Sequence, residues 1–261
     1  MTAANSIGFV YNAQNMRPER LTINNILSNA FFSLHTRERK EILDLDFIAK
    51  HIPMYIEAAG LTLRMAFWGI SLSMVFGLLC SLVQYYKVPF LQAIVEAYVE
   101  LSRNTPLLVQ LFFLYFGLPK LGIRISSEGC AIIGLTFLGG SYMAEAFRSG
   151  LESVDKNQIK AGQSLGLENI QIIRHVVLPQ ALSVSVPPLC ANVIFLIKET
   201  SVFSAVALAD LMYVAKSLIG MYYKTDEALT LLVVFYLIIL LPVSLISSHL
   251  ERGLRFAGFG N

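Results

Sequence analysis

Between Ala228 and Ile246 the chain reads ALTLLVVFYLIILLPVSLI, without one charged side chain. A bilayer's hydrocarbon core is about 30 Å thick and takes about twenty apolar residues of helix to cross. A run of this kind sets the solvent for the whole chain, so it constrains the fold more than any motif does. A second uncharged stretch, Met65–Val83, repeats the signal. Of the 261 residues 55% are apolar and 15% charged, against about 25% charged in soluble domains. Mean hydropathy is +0.61. These features predict an all-α polytopic membrane protein with about five transmembrane helices.

Residues 1–50 are polar and mixed in charge, with a dense run of both signs at Arg37–Asp46. The N-terminus has neither a basic start nor an apolar core, so no cleavable signal peptide is expected. Pro53 to about Gly60 leads into a first span over Leu61–Val83. Phe90–Arg103 is amphipathic: Leu91, Ile94, Val95, Tyr98 and Leu101 share one face, and Gln92, Glu96 and Glu100 another. Thr105 is suited to cap a new helix and Pro106 to its first turn. The run that follows, LLVQLFFLYFGLP, is short for a span. A third span is expected over Gly129–Phe147. Its Gly140 and Ala144 have the spacing that lets helices approach closely, either within the bundle or between subunits. Ala181–Ala209 is too long for one straight span. Pro187-Pro188 should kink it, and Lys198-Glu199-Thr200-Ser201 should interrupt it before a short outer helix, Ala205–Gly220. Lys198 and Glu199 are ionisable groups inside an apolar run, which are costly there and face a cavity or each other.

The polar stretch Glu145–Leu182 lies between apolar runs and reads as two short helices. Asp155 with Gln158 is an Asp-headed form of the capping box, starting a helix near Lys156. Gly166 is the natural residue to stop it, because glycine enters the left-handed region cheaply. Glu168 opens a second helix, Arg174 and His175 suit its C-terminal end, and Pro179 ends the unit. Ile170, Ile173 and Val177 form an apolar stripe.

Lys160-Ala161-Gly162, three residues, Gly166, nine residues, Val176, one residue and Leu178-Pro179 have the spacing of the EAA coupling loop, and on these residues the chain resembles the type I ABC importer permeases. It departs from the family pattern at Lys160, Gly162 and Val176. The run RNTPLLVQLFFLYFGLP and the tetrad KETS resemble two further motifs of the branch that imports polar amino acids. The resemblance implies a transmembrane domain over residues 58–250, with a cytoplasmic two-helix coupling loop at about 150–179. Residues 1–57 then form a polar extracytoplasmic tail and 251–261 a short cytoplasmic one. It further implies ABC ATPase subunits, a second permease subunit, a solute-binding protein outside and an amino acid substrate. By the same resemblance, Gln158, Lys160, Ala161, Gly162, Gly166, Leu178 and Pro179 would engage the ATPase. Asn104, Thr105, Lys198, Glu199 and Thr200 would lie on the substrate path. Basic residues are in slight excess on the side this assigns to the cytoplasm.

No phosphate loop of the Gly-x-x-x-x-Gly-Lys-Ser/Thr kind occurs, so ATP is expected to be used by a partner subunit and no cofactor is expected in this chain. No nucleophile–base set or zinc-helix pattern is found, which argues against an enzyme and against a metal site. Cys80, Cys130 and Cys190 lie in apolar segments and read as small buried hydrophobes. A net charge of +2 and the lack of a basic stripe argue against nucleic acid. The alternative of another class is a secondary transporter or channel using Lys198 and Glu199 as an ion site. Such carriers show two repeated halves, and no such duplication is visible.

Overall fold

A computed structural model describes residues 43–258, with side chains to Gly253. Most of the tail expected over 1–57 lies outside the described residues, as do 259–261 and the side chain of Arg255. Among the described residues helices are joined by short turns, with no strand, and from Leu45 onward the chain packs as one unit.

The first helix, α1, runs Leu45–Tyr85. At 1.5 Å per residue its 41 residues reach about 60 Å, roughly twice the hydrocarbon thickness. The sequence places the start near Leu61, after Pro53. The helix instead begins at Leu45 and continues through Pro53, although proline removes one backbone hydrogen bond. Packing offsets that loss. Tyr55 is fully buried, its hydroxyl donates to the Ala228 carbonyl at 2.7 Å, and Ala58 and Ala59 join the same core.

α2 (Leu91–Arg103) keeps its amphipathic character, but of its apolar face only part turns to the bundle, Tyr98 packing on Phe76 and Phe137. Leu91, Ile94 and Leu101 are exposed, and the buried residue is Ser102. Tyr98 and Ser102 donate to the Phe137 carbonyl at 2.7 and 2.9 Å, pinning α2 to the next span by polar bonds. Thr105 does not cap the following helix. Its hydroxyl turns back to the Leu101 carbonyl at 2.8 Å, and Pro106 itself is the cap residue. α3 (Leu107–Phe112) then passes into a π turn, Phe113–Gly117, and a 3-10 turn ending at Leu121. This composite helix is shorter than the four helices that are long and apolar enough to cross a membrane.

α4 (Ser127–Glu152) is the central span. Of its most apolar window 61% is buried, against 17% in the last span. Small residues allow this. A Cβ on Gly77 of α1 would stand 2.5 Å from Met143 Cβ and 2.8 Å from the Gly140 carbonyl oxygen. A Cβ on Gly140 would meet the Phe76 ring and the Tyr98 hydroxyl, both at 2.7 Å. The close approach around Gly140 and Ala144 is thus made within the chain.

Two short helices follow, α5 (Lys156–Ser164) and α6 (Asn169–Ile172). α6 does not end at Pro179. A π turn over Ile173–Val177 carries it into α7 (Leu178–Glu199). Proline lacks an N–H, and in the first turn of α7 the change of hydrogen-bond register absorbs that loss. α7 also continues through Pro187 and Pro188. The expected interruption is present: α geometry stops at Glu199 and a 3-10 segment covers Thr200–Val206. The outer helix, α8, runs Leu211–Tyr222, later than expected, because Asp210 caps it by accepting from Tyr213 N at 2.8 Å. α9 begins at Thr225 and spans to Gly253. Its Val233, Leu237, Ile238, Leu241 and Leu245 are exposed, as a lipid-facing surface requires. Cys80 and Cys130 are buried and Cys190 half-buried, all with free thiols.

Candidate functional site

The polar bracket between α4 and α7 is built by short-range rules. Asp155 caps α5 as expected, its Oδ1 accepting from Asn157 N at 2.8 Å. Gln158 does not close the capping box. Its side chain accepts instead from Gln180 Nε2, tying the first turn of α5 to the first turn of α7. At the other end Gly166 has φ +77°. Gly166 N donates to the Gln163 carbonyl at 3.0 Å and Leu167 N to the Gly162 carbonyl at 3.1 Å. These two bonds make a Schellman stop. The chain then reverses and Gln171 Oε1 accepts from Glu168 N at 2.8 Å, starting α6.

Gly162 is buried under α6. A Cβ there would lie 3.1 Å from Ile172 Cγ1, so the glycine sets how closely the two short helices pack. Lys160, Ala161, Gln163 and Gly166 are exposed, and Leu165 presents 80% of its surface. Leu178 and Pro179 are exposed where the bracket rejoins the span. The bracket therefore shows solvent an edge that includes Lys160, Ala161, Gln163, Gly166 and the protruding Leu165. Above it the hinge to the spans is tight. A Cβ on Gly150 would fall 1.8 Å from Ser185 Oγ and 2.4 Å from the Ala181 carbonyl oxygen.

A second feature is polar and half-exposed. A cleft of about 490 Å³ opens between the ends of α1, α2 and α4, lined by residues that include Glu96, Glu100, Arg103, Asn104, Tyr142 and Glu145. Arg103 pairs with Glu145, and its guanidinium carbon lies 5.1 Å from the Tyr142 ring centroid. Arg148 pairs with Glu152 at 2.8 Å and approaches Glu145 at 3.9 Å. The cleft thus offers both signs of charge and an aromatic face.

Of the residues assigned to the substrate path, Asn104 lines this cleft, with its amide nitrogen donating to the Glu100 carbonyl at 2.8 Å. Thr105 closes the end of α2 and is not among the lining residues. Lys198, Glu199 and Thr200 are not brought into it either. Lys198 is exposed, Glu199 half-buried, and the buried Thr200 hydroxyl donates to the Ile197 carbonyl at 2.7 Å. Sequence reasoning assigned no role to Tyr142, Glu145 or Arg148. The signal was available, since Glu145 and Arg148 stand three apart near the end of an apolar span, where charges seek partners or a cavity.

Residues 73–256 match the family described as the binding-protein-dependent transport system inner membrane component. The chain is 39% identical over 180 residues to Probable glutamine ABC transporter permease protein GlnP of Bacillus subtilis, covering 67% of this chain and 83% of that one. It is 34% identical over 206 residues to the glutamine transport system permease protein GlnP of Escherichia coli K12, covering 78% and 94%. Among solved structures, an amino acid ABC transporter crystallised with histidines matches with a TM-score of 0.74 at 29% identity, over 80% of this chain and 98% of that one. The inward-facing MetNI methionine transporter shares the fold, with a TM-score of 0.66 at 22% identity.

Proposed function

Because the chain belongs to the family of binding-protein-dependent transport system inner membrane components, we propose that it is the membrane-spanning permease subunit of an ATP-driven importer of polar amino acids. Its partners are ABC ATPase subunits, a second permease subunit of the same or a homologous kind, and an extracytoplasmic solute-binding protein. ATP is bound and hydrolysed by the ATPase, and this chain performs no catalysis and holds no cofactor. A polytopic helical chain whose spans cross the inner membrane suits that role.

The observation that carries the coupling role is the bracket α5–α6. Apart from the buried Gly162 it is exposed along Lys160–Gly166, and it joins α4 to α7. Gln158 is bonded to Gln180, so movement imposed on α5 passes into the base of α7. An ATPase that closes on ATP has to move such an element differently in its two states, and that differential contact is the switch. Gln158, Lys160, Ala161, Gly162 and Gly166 form the docking edge, with Leu178 and Pro179 at the lever's root. The cleft at Arg103, Asn104, Tyr142 and Glu145 serves the passage of solute. Its guanidinium and carboxylate pair with each other here, and on parting they answer the two charges of an amino acid zwitterion. Lys198, Glu199 and Thr200 take a place further along the path.

The test is uptake in proteoliposomes holding the permease, its ATPase and its solute-binding protein. Uptake should require ATP and should survive collapse of ion gradients, which a gradient-driven carrier would not tolerate. Gly166→Val places a β-branched residue at a left-handed φ, where an L side chain costs about 1–2 kcal/mol. The expected loss of uptake is about tenfold or more, with Gly166→Asn milder because asparagine tolerates that region. Full ATP-driven uptake by Gly166→Val would refute the coupling role.

A further inference from the structure

A second hollow, of about 640 Å³, lies between the foot of α1 and the bracket and shares no lining residue with the cleft. Its walls include Leu78 and Leu82 of α1, Phe147 of α4, Ile172 and Ile173 of the bracket and Leu182 of α7. Leu78, Ile173 and Leu182 are exposed, so the hollow is apolar and open. Apolar surface left in water is unfavourable, and such a hollow calls for an apolar occupant.

Depth, continuity and charge name that occupant. α1 carries no charge from Met65 to Val83. Just beyond, Tyr85 and Tyr86, edge to face with centroids 5.3 Å apart, line the hollow, and Lys87 follows. Aromatic residues beside a cation at the end of an apolar span mark the level of the lipid headgroups. Trp68, Leu72, Val75, Leu79 and Tyr86 are exposed, and with Leu82 they recur at steps of three and four. They form one helical stripe that runs down α1 into the hollow. Lys87 and Arg174 are exposed and, among the described residues, have no ion-pair partner. Each adjoins a lining residue, Tyr86 and Ile173 respectively.

We propose that the hollow binds an acyl chain of an anionic phospholipid, whose headgroup phosphate meets Lys87 and Arg174. The tail covers the leucines and isoleucines, and each cation near an anionic headgroup raises affinity about fivefold. The lipid touches α1 and α6 together, at the root of the bracket. Its binding does not depend on the coupling role.

Fluorescence quenching of the full-length chain in phosphatidylcholine vesicles tests the site, with brominated phosphatidylglycerol or brominated phosphatidylcholine as the probe. Trp68 is the single tryptophan and lies on the open part of the stripe, so both probes should quench it equally. Tyr85→Trp in a Trp68→Phe chain moves the reporter to the hollow. Quenching there should need about fivefold less brominated phosphatidylglycerol than brominated phosphatidylcholine. Lys87→Gln with Arg174→Gln should erase that preference and leave quenching itself in place. The proposal is overturned if neither probe quenches Tyr85→Trp, as with a protein segment in the hollow, or if both do so equally, as with ordinary surrounding lipid. It is equally overturned if the preference survives the loss of both cations or if Trp68 shows it to the same degree.

Discussion

Asp210 caps α8 with one oxygen and buries the other, and this inequality has a pH signature at the scale of a single residue. Burial pushes its carboxyl up to about 7 in the folded chain, against about 3.9 in an unfolded one. Below about pH 4 both states hold the proton. Between there and about pH 7 only the folded state does, so rising pH removes stability across that window, and above it the loss is complete. Thermal unfolding should therefore show wild type losing melting temperature relative to Asp210→Asn from about pH 4 to about pH 7. Parallel profiles would contradict the buried titration. Asp210 escaped sequence reasoning because the outer helix is expected over Ala205–Gly220, which puts this residue inside the helix and not at its cap. Gly166, by contrast, was legible: a polar helix followed by glycine has one cheap way to stop.

Between elements, the fold depends on backbones brought into contact. α4 packs on α7 at Gly150, where the obstacles to a Cβ are the Ser185 hydroxyl and the Ala181 backbone oxygen. Gly150→Ala should lower the melting temperature and ATP-driven uptake together. Adding Ser185→Ala should recover little, because the backbone oxygen at 2.4 Å cannot move aside without moving α7. Full rescue by the second substitution would mean that the hydroxyl alone sets the spacing. The same scale explains the misplaced start of α1. Pro53 argues locally for a break, but Tyr55, Ala58 and Ala59 bury against α8 and α9, and tertiary burial outweighs one missing hydrogen bond. It also explains α2, whose Leu91, Ile94 and Leu101 point outward. In lipid, polar side chains join helices, and here Tyr98 and Ser102 do so.

Across the whole molecule, the four long helices and the composite Leu107–Leu121 helix fix which surfaces face lipid, and the bracket hangs at one end of the spans. The proposed function places that end in the cytoplasm. Leu165 stands clear of the fold, so Leu165→Cys should react with a membrane-impermeant thiol reagent in inside-out vesicles and not in intact cells. Cys80 and Cys130 are buried and contribute little background, and Cys190→Ser removes the half-buried thiol. Labelling from the outer side would invert the topology and end the coupling reading.

The sequence alone determined that this chain is helical and membrane-spanning, where its bracket begins and turns, and which family pattern it carries. Those features follow from the dielectric of the bilayer and from local backbone rules, both of which act along contiguous residues. Tertiary structure alone decided that α1 starts at Leu45, that Arg103 meets Glu145, that Gln158 reaches Gln180 rather than its own helix cap, and that one oxygen of Asp210 is buried without a partner. Each of these is a choice among partners far apart in the chain. It is settled by tertiary packing, information that no single stretch of sequence contains.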